Sequence, residues 1–222
     1  NALGATTTIL LAAAVLFGSK RAALLALVAG ILYLTQPQAL NVAGFNLYAF
    51  RLLEVAGLAR LLARGERFEV PWTSLDKLVV ALYGYTVLVY LVRSDEEAYA
   101  YQIGTAVDAF LCYFLVRVLA TSIEDYKWLL RYLSLLLIPF VPLVVYESMT
   151  FQNPFAAIGG VELIRAGDVW IREGRLRATG SFGHPSLLGT FGGVFLPLYV
   201  SVFLSGERRL LVVAGIISCL AI

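Results

Sequence analysis

Leu129-Leu-Arg-Tyr-Leu-Ser-Leu-Leu-Leu-Ile-Pro-Phe-Val-Pro-Leu-Val-Val-Tyr146 is a run of 18 residues with a single charge, Arg131. A stretch this long and apolar can cross about 30 Å of hydrocarbon as a helix, because its backbone groups pair within the helix and its side chains need no water. Just ahead of it, Thr121 and Ser122 precede Glu124 and Asp125, a capping-box pattern that opens a helix. Pro139 and Pro142 lie inside it, each removing a backbone donor, and are expected to kink it.

Similar runs lie on both sides. Residues 2–17, 22–34, 42–62, 78–92 and 103–119 come before it; residues 187–204 and a run beginning at Leu210 come after. The third of these is the least apolar, and Thr73 and Ser74 are placed to cap the fourth. The pattern predicts an all-α fold, a polytopic transmembrane helical bundle of about eight spans with one long outer loop, residues 148–185, between the sixth and seventh. Composition agrees. The 222 residues are 60% hydrophobic and only 14% charged, too few charges to clothe a water-soluble domain of this size. Because apolar runs lie almost at Asn1 and again at Ile222, residues 1–222 are expected to form a single transmembrane domain of a longer protein.

Charge fixes an expected orientation. Alternating spans put Lys20 and Arg21, residues 60–77, residues 117–131, and Arg208 with Arg209 on one side, which then holds 11 of the 17 Lys and Arg residues. The short opposite loops have no charge at residues 35–40, and one Arg against Asp95, Glu96 and Glu97 at residues 93–102. The positive-inside rule assigns the first side to the cytoplasm and turns the long loop outward. A net charge of +2 gives no reason to expect a nucleic-acid partner. Cys112 and Cys219 each lie within an apolar run, so neither a disulfide nor a cysteine metal site is expected.

The outer loop carries Arg165, Arg172, Arg175 and Arg177 against Glu162, Asp168 and Glu173. Two readings follow: a solvated loop rim, or an anion site in which guanidinium groups fork onto phosphate oxygens. Gly180 and Gly183 allow close backbone approach, Ser186 is placed to cap the next helix, and that helix would aim its first amides at the same rim. His184, the lone histidine, reads either as part of the turn or as a further anion contact. Inside the spans, Arg51 and Glu54 are three apart and expected to pair, and Asp108 lies in the fifth run. Such charges either lock helices together or line a polar groove.

The stretch Arg172-Glu-Gly-Arg-Leu-Arg-Ala-Thr-Gly-Ser-Phe-Gly-His-Pro-Ser-Leu-Leu-Gly-Thr-Phe191 resembles the signature region of the O-antigen ligase and O-antigen polymerase family of bacterial membrane proteins. That signature is Arg-x-x-Gly-x-Phe, then Asn-Pro or His-Pro, a Gly and a new span. Val145-Tyr-Glu147-Ser-Met-Thr150-Phe-Gln-Asn153-Pro-Phe155 is similar to the element that opens the same loop, with Phe151 where the family often has Gly. Leu40-Asn-Val-Ala-Gly-Phe-Asn-Leu-Tyr-Ala-Phe-Arg51 is similar to the third-span region.

The resemblance implies an inverting, metal-independent membrane glycosyltransferase, without cofactor, in the bacterial inner (plasma) membrane. It would take a glycan from undecaprenyl pyrophosphate on the outer face and pass it to a glycan, lipid or protein acceptor. It also implies that Arg177 holds the pyrophosphate, with Arg172, Arg175, His184, Arg51 and Glu147 as further candidate substrate contacts. The ligase base is a histidine of a later loop, so that role is not carried onto His184, and the catalytic residue is left open. A transporter or lipid-linked oligosaccharide flippase using Arg51, Glu54 and Asp108 is the competing expectation, and a structural subunit the third.

Overall fold

Apolar runs of this length satisfy their backbone internally, and the chain is accordingly helical through most of its length. The computed structural model describes residues 2–35, 39–42, 45–66, 71–93, 96–159, 170–172, 174–207 and 209–222. Asp95, Glu162, Arg165, Asp168, Glu173 and Arg208 lie outside the described residues, as do the side chains of Glu96, Glu97 and Arg172. Among those described, nine α-helices follow in order: α1 (Ala2–Phe17), α2 (Lys20–Tyr33), α3 (Ala49–Arg64), α4 (Ser74–Arg93), α5 (Glu96–Leu119), α6 (Ile123–Thr150), α7 (Pro154–Gly159), α8 (Pro185–Leu204) and α9 (Leu210–Ala221). Two antiparallel hairpins interrupt them, β1 (Ala39–Val42) with β2 (Phe45–Tyr48), and β3 (Ile171–Arg172) with β4 (Arg175–Leu176).

The third run departs from expectation. It is not helical from residue 42: Phe45–Tyr48 pairs as a strand, Val42 opposite Phe45, and α3 begins only at Ala49. Asn, Gly and β-favouring Val, Phe and Tyr explain the delay. The capping box forms as expected, Ser122 Oγ accepting from Asp125 N while the Asp125 carboxylate accepts from Ser122 N. Thr73 and Asp76 make the equivalent exchange at α4. Helix α6 runs through both prolines to Thr150, and Tyr33 donates to the Leu136 carbonyl at 2.7 Å beside the turn that Pro139 weakens.

Helix α2 is central, with eight of its 14 residues buried. Leu24, Leu27 and Leu32 meet Leu53 of α3, Leu115 and Leu119 of α5, and Leu133, Leu137 and Phe140 of α6 in one apolar core. Among the described residues three helices, α4, α6 and α8, are long and apolar enough to cross a membrane, where about eight spans were expected. Helices α1 and α9 are apolar but shorter. Helix α4 packs mainly on α5 and leaves Leu75, Leu78, Leu82, Leu88 and Leu91 exposed. Water would penalise such a surface, whereas lipid accepts it.

Ion pairs draw the basic connections to one end of the bundle. Arg21 pairs with Asp125 at 2.8 Å, Arg117 clamps Asp76 at 2.7 Å, and Arg131 and Lys127 both reach Glu207. Arg60 is 1% exposed and saturates its guanidinium there: two bonds go to Glu66, and Nη1 donates to the carbonyls of Val15 and Gly18. Arg64 adds bonds to Phe17 and Gly18 carbonyls, so two arginines of α3 cap the negative C-terminus of α1.

Arg60→Ala strands Glu66 and the Val15 carbonyl, and removing one partner of such a buried pair costs about 3–5 kcal/mol. Thermal unfolding in detergent micelles should show a correspondingly large drop. The Arg60 bond also holds the Glu66 carboxyl below its ordinary range. The pair's contribution is therefore complete above the ordinary carboxylate pKa and fades as pH falls through the lower folded value.

Candidate functional site

The site is assembled at the opposite end, where α6 stops and α8 begins. Glu147, in the last turn of α6, is 1% exposed, so its carboxylate must find donors in the protein. Oε1 accepts from Asn153 Nδ2 at 3.0 Å, Thr179 Oγ1 at 3.0 Å and Thr179 N at 3.2 Å, while Oε2 accepts from Gly180 N at 2.8 Å. Asn153 also donates to Gly180 O and accepts from Phe155 and Ala156 amides, which caps α7. Gly180 has φ +60°, and a Cβ there would stand 3.1 Å from the Phe140 ring, so a larger residue would be strained in its backbone and crowd the ring.

One turn outward, Ser148 Oγ donates to Leu176 O at 2.8 Å, and the Leu176 side chain is buried. The pairing continues as Arg177 N donates to Trp170 O at 2.7 Å. Strand alternation around buried Leu176 puts Arg175 and Arg177 on one exposed face. Both line a cleft of about 750 Å³, together with Ser148, Phe151, Ser186 and Gly189, and with Val144 and Leu188 on its apolar side. Among the described residues neither guanidinium has an acid partner. Two cations without an acid partner among the described residues, beside the start of α8, the positive end of that helix, make a surface that attracts anions.

The α8 start differs from the sequence expectation. The cap is His184 rather than Ser186: its Nδ1 accepts from Ser186 N at 3.1 Å, with Pro185 in the first helical position. The Leu187 amide turns back to His184 O at 3.0 Å. Two of the amides expected to face the rim are thus already used. The His184 ring packs edge-on to Trp170, centroids 5.1 Å apart, which links the cap to the arginine hairpin.

The six sequence candidates therefore separate. Arg175 and Arg177 share the cleft; Glu147 lies beneath the loop as its anchor; His184 caps α8; Arg172 is placed by backbone alone, opposite Arg175 in the hairpin. Arg51 lies elsewhere, in a crevice of about 260 Å³ between α3 and α5. There it does not pair with Glu54 as expected but binds Asp108 through two nitrogens, Nε at 2.8 Å and Nη2 at 2.9 Å. Tyr48 backs the guanidinium from the other side, 5.1 Å away. Asn153, Thr179 and Ser148 position the loop without having been singled out for that role; a buried carboxylate at a helix end, with short polar residues ahead of a turn glycine, was the signal for them.

No protein-family model, curated protein or solved structure matches this chain.

Two variants test the loop. Glu147→Ala leaves the Thr179 and Gly180 amides and Asn153 without their acceptor, and bonds to a charged group contribute about 1.5–3 kcal/mol each. It should lower the melting temperature and expose the 151–180 segment to protease; a segment as resistant as wild type means the anchor is dispensable. Phe151 ends α6 at φ +63°, a left-handed conformation that costs an L-residue about 1–2 kcal/mol. Phe151→Gly should therefore raise stability by about 1 kcal/mol despite the lost side chain.

Proposed function

We propose that this chain is the donor-binding part of an inner-membrane glycosyltransferase of the ligase or polymerase type. It transfers a glycan from an undecaprenyl-pyrophosphate carrier to a glycan, lipid or protein acceptor on the outer face. In this reading the eight long helices, α7 aside, are spans; the ion-paired end faces the cytoplasm, and the arginine cleft opens at the outer membrane surface. The observation that carries it is the cleft in which Arg175 and Arg177 stand over an apolar wall, without acid partners among the described residues. Cations at the rim suit a pyrophosphate, and the apolar wall below suits the isoprenoid that brings it in from the bilayer.

The acceptor hydroxyl attacks the anomeric carbon, its proton passes to a general base, and the bond from that carbon to the pyrophosphate oxygen breaks. The departing oxygen gains negative charge as that bond lengthens, so guanidinium groups beside it lower the barrier more than they favour the ground state. The Glu147 network holds both arginines in register, which saves reorganisation during the step. The transporter or flippase reading draws instead on the Arg51–Asp108 crevice, which holds charge between helices.

Reconstituted protein supplied with a polyprenyl-pyrophosphate glycan and candidate acceptors should yield product visible by gel and mass spectrometry. Arg177→Ala should cut transfer about 100-fold, the scale for losing one donor to a developing oxyanion. Unaltered transfer in the Arg175→Ala and Arg177→Ala variants together would remove the cleft from the mechanism. Glycan crossing the bilayer without modification of any acceptor favours the flippase.

A further inference from the structure

Glu54 has no counter-charge of its own. It is 1% exposed on α3, and its Oε1 is buried without a hydrogen-bond partner. Arg51, the cation it was expected to engage, spends Nε and Nη2 on Asp108 of α5. Gly104 keeps Arg51 in this position: a Cβ there would lie 2.6 Å from Nη2. Glu54 and Asp108 line one crevice together with Arg51 and Gly104, and it is otherwise walled by Val55, Val107 and Leu111.

Among the described residues the surroundings offer nothing else to neutralise it. Helix α1 has no titratable side chain, and Tyr33 of α2 donates to Leu136 O while Arg21 pairs with Asp125 at the far end. From β2 comes Tyr48, stacked on Arg51; from α5 come Asp108 and Cys112, the latter an uncharged neighbour of Glu54. Tyr113 and Arg117 of α5 are both bonded to Asp76. Two carboxylates and one guanidinium on the same crevice leave one negative charge over, and in an apolar setting such a charge is removed by binding a cation. A metal ion would need more oxygens than Glu54 and an Asp108 already clamped by Arg51 can supply.

We infer that Glu54 and Asp108 form a proton-binding site in the α3–α5 interface, with the proton on Glu54 and donated to Asp108. The proton then determines the partner of Arg51. While Glu54 is neutral, Arg51 reaches across to Asp108 and ties α3 to α5. When Glu54 is ionised, it competes for Arg51 from three residues along the same helix, and the tie between helices loosens. The site makes no use of the arginine cleft, so it stands or falls separately from glycan transfer.

Infrared spectroscopy of the whole chain in lipid nanodiscs tests it. At neutral pH wild type should show the carbonyl stretch of a protonated carboxylic acid, and Glu54→Gln should remove it. Asp108→Asn should remove it as well, because Arg51 is released to pair with an ionised Glu54. No such band in wild type, or a band untouched by Glu54→Gln, overturns the site; a band that survives in Asp108→Asn overturns the exchange of partners. Thermal unfolding supplies a second reading, since Gln imitates the neutral acid. Glu54→Gln should melt at or above wild type at neutral pH. A Glu54→Gln protein that melts well below wild type at neutral pH shows that the ionised form was needed.

Discussion

A carboxylate without solvent contact has to fill its lone pairs from protein donors, and Glu147 draws most of its donors from the chain 32 and 33 residues further on. That constraint shapes everything at this end of the molecule. The amides of Thr179 and Gly180 must come to the end of α6, so the intervening loop must close, and α8, which starts at Pro185, must begin near α6's last turn. Ser148, the next residue along the helix, then takes the carbonyl of Leu176. Between these two attachments the strand has no freedom to turn over. Arg175 and Arg177 face the cleft because Leu176 faces the protein.

The other end of the bundle is organised by a different currency of interaction. Arg21–Asp125, Arg117–Asp76 and the Glu207 cluster each join two helices at their ends, and Arg60 closes the C-terminus of α1. These groups sit where apolar spans would meet headgroups and water, and the two that are almost fully buried, Arg60 and Asp76, are both ion-paired. Pairing extends into the helical interior. There the Arg51–Asp108 pair is bidentate, and the polar atoms of Ser134 and Tyr199 are satisfied by one another and by the Leu130 carbonyl.

How much of this was legible depended on the range of the interactions involved. Helix existence follows from local pattern, and the capping boxes at Ser122 and Thr73 were readable because donor and acceptor are three residues apart. The strand at Phe45–Tyr48 was hidden by an apolar run that continues without a break into α3. The partner of Arg51 was misassigned for the opposite reason: Glu54 is near in sequence, while Asp108 lies 57 residues away and becomes a neighbour only when α5 packs on α3. His184 was legible as a turn residue, but its capping role needed the direction of its ring. The resemblance put Phe151 at a position where glycine was expected, and its backbone is in the left-handed region that favours glycine. The arginine density of the loop was plain from the sequence; that two of these residues share a cleft and Arg51 does not required the fold.

Helix α4 is held to the rest by a clasp near its first turn, where Asp76 takes Arg117 and Tyr113, and by ring contacts such as Trp72 with Phe114. Further along, its side chains find few protein neighbours. Mechanically it is a beam clamped at one end and bedded in whatever fluid surrounds it. A displacement of given energy moves the Arg93 end far more than the Asp76 end, and the stiffness resisting it comes from the surrounding hydrocarbon rather than from protein packing. The thickness and lateral pressure of the bilayer thus become structural parameters of the molecule, set by its host membrane and written nowhere in its own contacts.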